Sequence, residues 1–157
     1  MLVFTFLIFF FTVLNSFAEM PIGNDWQSRG QLSETRVFQK KEMSLSVFEG
    51  TVPEKRLITP SNFKSEILQS SELRKKTLEL LGTANWQINE MSFSENKEKK
   101  TVLLRGQFQR DGLTFEFTEW QIYSEKNLIQ LQLENQKGDT AALPEIQYFT
   151  RWVQNLK

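Results

Sequence analysis

The stretch from Trp86 to Leu133 constrains the fold most. Within it, Val102, Leu104, Gly106 and Phe108 alternate with Leu103, Arg105, Gln107 and Gln109, and residues two apart share one face of a strand. Asp111-Gly112 follows at once. That pair is what a tight type I′ hairpin demands, because both central residues take positive φ. The chain must then pair back through Leu113 to Tyr123. Leu113, Phe115 and Phe117 keep one parity there, while Trp120 and Ile122 keep the other. Either a bulge at Thr118-Glu119 restores the face, or the strand is covered on both sides. Leu128 to Leu133 closes the meander, with Ile129, Leu131 and Leu133 alternating against Gln130 and Gln132. Asn135 to Asp139 is polar throughout and reads as a loop. Upstream, Trp86 and Ile88 share a parity that Met91 and Phe93 lack, which predicts a bulge near Asn89. Ser94 to Lys100 reads as a charged loop.

Helical period brackets this meander. Thr59-Pro60 signals a helix start, since Thr59 can cap free N–H groups and Pro60 tolerates the first helical position. The helical region runs to Leu81, and Gly82 closes it. Its stripe slips phase around Gln69-Ser70-Ser71: Phe63 and Ile67 form one face, while Leu73, Thr77, Leu80 and Leu81 form another, so two helices joined by a kink are expected. Arg74, Lys75 and Lys76 read as a solvated face. From Ala141 to Leu156, Ala142, Ile146, Phe149, Val153 and Leu156 recur at helical spacing, with Tyr148 and Trp152 widening the buried face and Pro144 in the first turn. Before the meander, Leu32 to Gln39 and Ser44 to Glu49 read as two strands joined by Lys40-Lys41-Glu42, and Gly50 to Leu57 as a connection. Residues 19–31, with Pro21, Gly23, Asn24, Asp25 and Gly30, have the composition of turns and read as a leader, its Trp26 packed onto the domain.

The amino-terminal residues 1–18 differ from everything that follows. Leu2 to Leu14 is apolar apart from Thr5 and Thr12, and Ser16 and Ala18 put small residues where a signal peptidase requires them. The expectation is a cleavable export signal cut between Ala18 and Glu19, giving a secreted or periplasmic protein with no stable membrane anchor. No Lys or Arg precedes the run. A retained anchor and a core helix are the alternatives: the run sits at the lower limit of the roughly 17 to 25 residues that span a bilayer, and it lacks an amphipathic period. The remainder, residues 32–157, has the size of a single domain.

Composition narrows the chemistry. Cysteine and histidine are both absent, which removes thiolate ligands, disulfides and the side chains that most often bind zinc or relay protons near neutral pH. Nineteen basic and nineteen acidic side chains leave no net charge to draw the chain to nucleic acid. Ser44, Ser46, Ser70 and Ser71 have no histidine base, and no phosphate-cradling glycine loop occurs. Glu116 and Glu119 are the one pair of carboxylates that a bulge could gather, and they read as solvated strand residues. No catalytic residue, metal ligand or cofactor site is therefore expected.

The order of elements is a strand pair, a helical segment begun by Thr59-Pro60, a meander with the Asp111-Gly112 hairpin, and a terminal helix around Phe149 and Trp152. From about Leu32 to Leu156 it resembles the PsbP/DcrB-like group of small α/β/α sandwich proteins, although no lipid-attachment cysteine is present as in that group's lipoproteins. The resemblance implies an α+β fold, an antiparallel meander with helices packed on the sheet, and a non-catalytic exported module that assists another component. Helix-grip and cystatin-like layouts compete with it. Apolar residues on both parities of the central strands, Leu103 against Leu104 and Phe117 against Trp120, favour a sheet covered on two faces. Two functions follow. One is an interaction module contacting another exported or envelope protein through Arg105, Gln107, Gln121, Gln130 and Gln132. The other is a carrier of an apolar small molecule, on the wealth of large residues such as Phe115, Phe117, Trp120 and Trp152.

Overall fold

The computed structural model describes residues 20, 22–51, 58–97, 99–124 and 127–156. The expected export signal and its Ala18–Glu19 bond lie outside them, as does most of the Gly50 to Leu57 connection. Among the described residues seven strands and two helices run β1 (Gln27–Leu32), β2 (Thr35–Lys40), β3 (Met43–Thr51), α1 (Phe63–Leu80), β4 (Ala84–Glu95), β5 (Lys100–Arg110), β6 (Leu113–Ser124), β7 (Asn127–Gln136) and α2 (Ala142–Asn155). All pairings are antiparallel, in one sheet ordered β1-β2-β3-β7-β6-β5-β4. The expected α+β sandwich is present: α1 lies on one face and α2 on the other.

The hairpin forms as its residues require. Asp111 and Gly112 have φ of 53° and 76°, and β5 pairs with β6 in unbroken register from Arg110↔Leu113 to Lys100↔Tyr123. The switch of parity in β6 is therefore no bulge. Phe117 to Ile122 are buried in succession because both faces are covered. The bulge foreseen near Asn89 is present, and a second lies between Ala84 and Gln87, where Asn85 has φ 52°. Gly106 has a steric role: a Cβ there would collide with the Gln87 carbonyl oxygen and lie 2.5 Å from the Phe117 ring.

Several sequence expectations need correction. The sheet begins at Gln27, inside the stretch that turn-rich composition assigned to a leader, and Leu32 belongs to β1 rather than to β2. A bulge between Ser28 and Gly30, with Gly30 at φ 130°, lets this glycine-containing stretch pair. β4 runs on to Glu95, shortening the charged loop. β7 continues to Gln136, because Glu116 and Phe115 supply partners for Asn135 and Gln136, so the polar run after Leu133 starts as strand.

The helical region is one continuous helix, not two. Its buried face holds Ile67 and Ser71, while Leu73, Leu80 and Leu81 are 70%, 88% and 74% exposed. The phase slip thus records a second, outward face. Gly82 ends α1 as expected: at φ 85° it donates to Glu79 O, and Thr83 donates to Leu78 O, the paired bonds of a Schellman motif. In α2 the predicted stripe is buried at Ala142, Phe149 and Val153, but Tyr148 is 45% exposed and does not widen the buried face.

Two apolar clusters fill the two faces. Under α2, Leu45, Val47, Trp120, Leu131 and Leu133 pack on Phe149 and Val153, and Trp26 joins them edge-on to Phe149 at 6.4 Å. Trp26 also donates to Glu145 at 3.3 Å, and Lys40 bridges Glu145 and Asp25. That ammonium holds the Asp25 carboxyl below its ordinary range, and the two carboxylates push Lys40 up. Under α1, Ile58, Ile67, Trp86, Val102, Leu104, Phe108 and Phe117 pack together, with Trp86 stacked on Phe117 at 5.4 Å.

Candidate functional site

The α1 face of the sheet changes character across its width. Cross-strand rows follow from the register: Phe48, Gln130, Gln121 and Val102 form one row, and Ser46, Gln132, Glu119 and Leu104 the next. A third row carries Ser44, Glu134, Phe117 and Gly106. Over β4 and β5 the side chains are apolar and α1 covers them. Over β7 and β3 they are mostly amides, hydroxyls and a carboxylate, with Phe48 and Leu128 as the apolar members.

Arg74 marks the border. From α1 it reaches down to donate to Glu119, which has no exposed surface, and to Gln132 Oε1, while its guanidinium lies 5.7 Å from the Trp86 ring centre. The network continues on both sides. Tyr123 Oη donates to Gln121 Oε1 at 2.6 Å, and Gln121 Nε2 donates to Glu119 Oε1 at 2.6 Å. On the far side Gln132 Nε2 donates to Glu134 at 2.5 Å, and Arg110 lies 3.6 Å from the same carboxylate. Burial, then the nearby Glu119 and Glu66 charges, push the Tyr123 phenol up to about 12. Among the described residues no buried side-chain polar atom lacks a partner, as a low-dielectric polar network requires.

Beside this border lies a cleft of about 690 Å³ between α1 and the sheet. Glu66, Ser70, Leu73 and Thr77 form its helical wall; Phe48, Gln121, Tyr123, Leu128 and Gln130 form its floor, and Ile58 lies at one end. Both its surfaces mix apolar and polar groups, so the arrangement suits contact with a ligand that carries both kinds. On the opposite face a smaller cleft of about 200 Å³ sits between α2 and the β4–β5 edge, lined by Ser92, Ser94, Thr101, Leu103, Trp120 and Thr150.

The residues expected to form one partner surface divide between the two faces. Gln121, Gln130 and Gln132 come together on the α1 side, two of them in the cleft. Arg105 and Gln107 have the opposite parity, paired with Thr118 and Glu116 on the α2 side, where Arg105 binds Glu90 at 3.0 Å and Gln107 accepts from Lys137 at 3.1 Å. Glu116 and Glu119 likewise point to opposite faces and do not converge. Glu119 is not solvated, and Arg74, 30% exposed, is only partly so: each is held by the other. Among the described residues no group of three or more acidic side chains is placed to hold a metal ion. Phe117 and Trp120, read as signs of an apolar cavity, fill separate clusters on opposite faces. The sequence reading missed Glu66, Leu73 and Tyr123; the one available signal was the out-of-phase Leu73-Leu80 stripe.

No protein-family model matches the sequence, and no curated protein matches it. Among solved structures the chain is similar to the cyanobacterial PsbP (CyanoP) of Synechocystis sp. PCC 6803, at 11% identity and a TM-score of 0.60, over 86% of this chain and 82% of that one. PA94, a protein of unknown function from Pseudomonas aeruginosa, is similar at 11% identity and a TM-score of 0.50, over 84% of this chain and 96% of that one. LpqN of Mycobacterium tuberculosis follows at 15% identity and a TM-score of 0.48, over 81% and 75%. Identities this low speak for fold alone, and the fold is the PsbP-like antiparallel α+β sandwich that the order of elements implied.

Proposed function

We propose that the chain is an exported, non-catalytic binding module that holds another envelope protein in the cleft between α1 and the sheet. The inverted composition of the α1 face carries this reading. Beside Phe48 and Leu128, the helix-side positions of β3 and β7 hold Ser44, Ser46, Gln130, Gln132 and Glu134, where a closed core would hold aliphatic side chains. Leu73 borders the same cleft at 70% exposure. A half-buried sheet face this polar and a helix stripe that is apolar toward the outside both depart from the folding pattern, and such departures gather at functional sites. Export is supported by the apolar run before Ser16 and Ala18, and a non-catalytic role by the absence of histidine and cysteine and the divergence of Glu116 from Glu119.

A photo-crosslinking amino acid placed at Leu73, in the full chain expressed in its host, tests the reading. Leu143, 55% exposed on α2, serves as the control position. The expected result is a discrete crosslinked protein at position 73 and none at 143. Equal labelling at both positions, or none at either, rejects the cleft as the docking surface. Intact mass of the exported product is expected to begin at Glu19, and a retained Met1 overturns the export reading.

A further inference from the structure

We infer that the cleft takes an extended polypeptide segment whose aliphatic residues flank a basic one, with Glu66 as the anchor for the basic side chain. This rests on the cleft being the docking surface and adds what it recognises. Charge complementarity selects the sign. Glu66 lines the cleft, is half-buried, and among the described residues has no ion pair. Among the described residues the cations at the margin are already engaged: Arg74 is held by Glu119 and Gln132, and Lys100 donates to Ile58 O at 2.9 Å and lies 3.6 Å from Glu95. The Arg74–Glu119 pair is neutral as a unit, so among the described lining residues Glu66 contributes an uncompensated negative charge that an incoming ammonium or guanidinium would meet.

The length and chemistry of the cleft point to a peptide. The wall from Glu66 to Thr77 covers eleven helical steps, about 16 Å at 1.5 Å each, the span of roughly five residues in extended conformation. Gln130 on the floor makes no side-chain hydrogen bond among the described residues, so its carboxamide offers both a donor and an acceptor to a passing backbone. Leu73, Phe48, Leu128 and Ile58 provide apolar contacts on both sides of that line. An aliphatic residue on each side of a Lys or Arg places its side chains against these contacts.

A phage-displayed heptapeptide library selected against the full chain tests this directly. Recovered sequences are expected to carry one Lys or Arg between aliphatic residues. Binding of a synthetic winner, followed by fluorescence anisotropy, is expected to weaken with added salt and to fall about tenfold in Glu66→Gln, as loss of a charge-assisted hydrogen bond implies. Glu66→Lys is expected to shift selection to acidic peptides, and circular dichroism verifies that both variants stay folded. Acidic or charge-indifferent winners, or an unchanged affinity in Glu66→Gln, overturn the inference. If position 73 still crosslinks a partner in that case, the docking reading stands and only its basic occupant fails. Winners unaffected by Leu73→Lys bind elsewhere and overturn the inference, while the crosslink at position 73 alone decides the docking reading.

Discussion

Replacing Arg74 by Met probes the polar border where it is most exposed to refutation. The substitution keeps the aliphatic stem and removes the charge that faces Glu119, a carboxylate with no solvent access. One partner remains, Gln121 Nε2 at 2.6 Å. Stripping a buried ion of its counter-charge costs about 3–5 kcal/mol. Arg74 itself is 30% exposed, so solvent screens part of the pair and the lower end is expected, near 3 kcal/mol. With a urea slope of about 2 kcal/mol/M the unfolding midpoint falls by about 1.5 M. Glu119→Gln alone leaves a cation that water can reach, and costs about 1–2 kcal/mol. The two together are expected to cost less than their sum, by about 2 kcal/mol of coupling. Urea unfolding of the four proteins measures this cycle. Additivity within about 0.5 kcal/mol, or a loss below about 1 kcal/mol for Arg74→Met, would show that Glu119 does not depend on Arg74 and would refute the border as described.

Three further outcomes are expected. Because the Tyr123 phenol is pushed up to about 12 from an ordinary 10, the native state binds that proton more tightly than the unfolded chain does. Its contribution is present in full below pH 10 and is lost as pH rises toward 12, about 2–3 kcal/mol in all; urea unfolding across that range should show the loss, and Tyr123→Phe should abolish it. Lys99 donates to Val153 O at 2.7 Å and to Leu156 O, closing the carbonyl end of α2, so Lys99→Met should cost about 2–4 kcal/mol and speed amide exchange in the last turn of that helix. Gly106→Ala drives a methyl group into the Gln87 carbonyl and the Phe117 ring; a thermal melt should register a loss of about 3 kcal/mol, the upper end for an overpacked core, and a neutral effect would mean that β4 and β5 are not packed as closely as described.

Local signals carried the architecture well. The Asp111-Gly112 turn, the Gly82 cap and the bulge near Asn89 all depend on the backbone within a few residues, and each formed where its sequence required. Parity along β5, β6 and β7 announced a sheet covered on both faces because burial there obeys the ordinary rule. The cleft breaks that rule. Arg74 and Glu119 are charged residues held inside, and Leu73 and Leu80 are aliphatic residues held outside, so a reading by polarity sends each to the wrong place. Polarity also groups Arg105 and Gln107 with Gln121, although the two-residue period of a strand puts them on the other face once register is known. The β1 strand was hidden for another reason: its pairing depends on a bulge and on β2, which lies further along the chain.

Both open margins of the sheet are irregular: β1 carries its bulge between Ser28 and Gly30, and β4 carries two, near Asn85 and Asn89. A flat outer strand would present an evenly spaced row of amide and carbonyl groups onto which another molecule's strand could add. The kinks break that spacing at both ends of the seven-stranded array, and Arg29 adds a charge to one of them. The fold therefore resists growing into a continuous fibre of sheets.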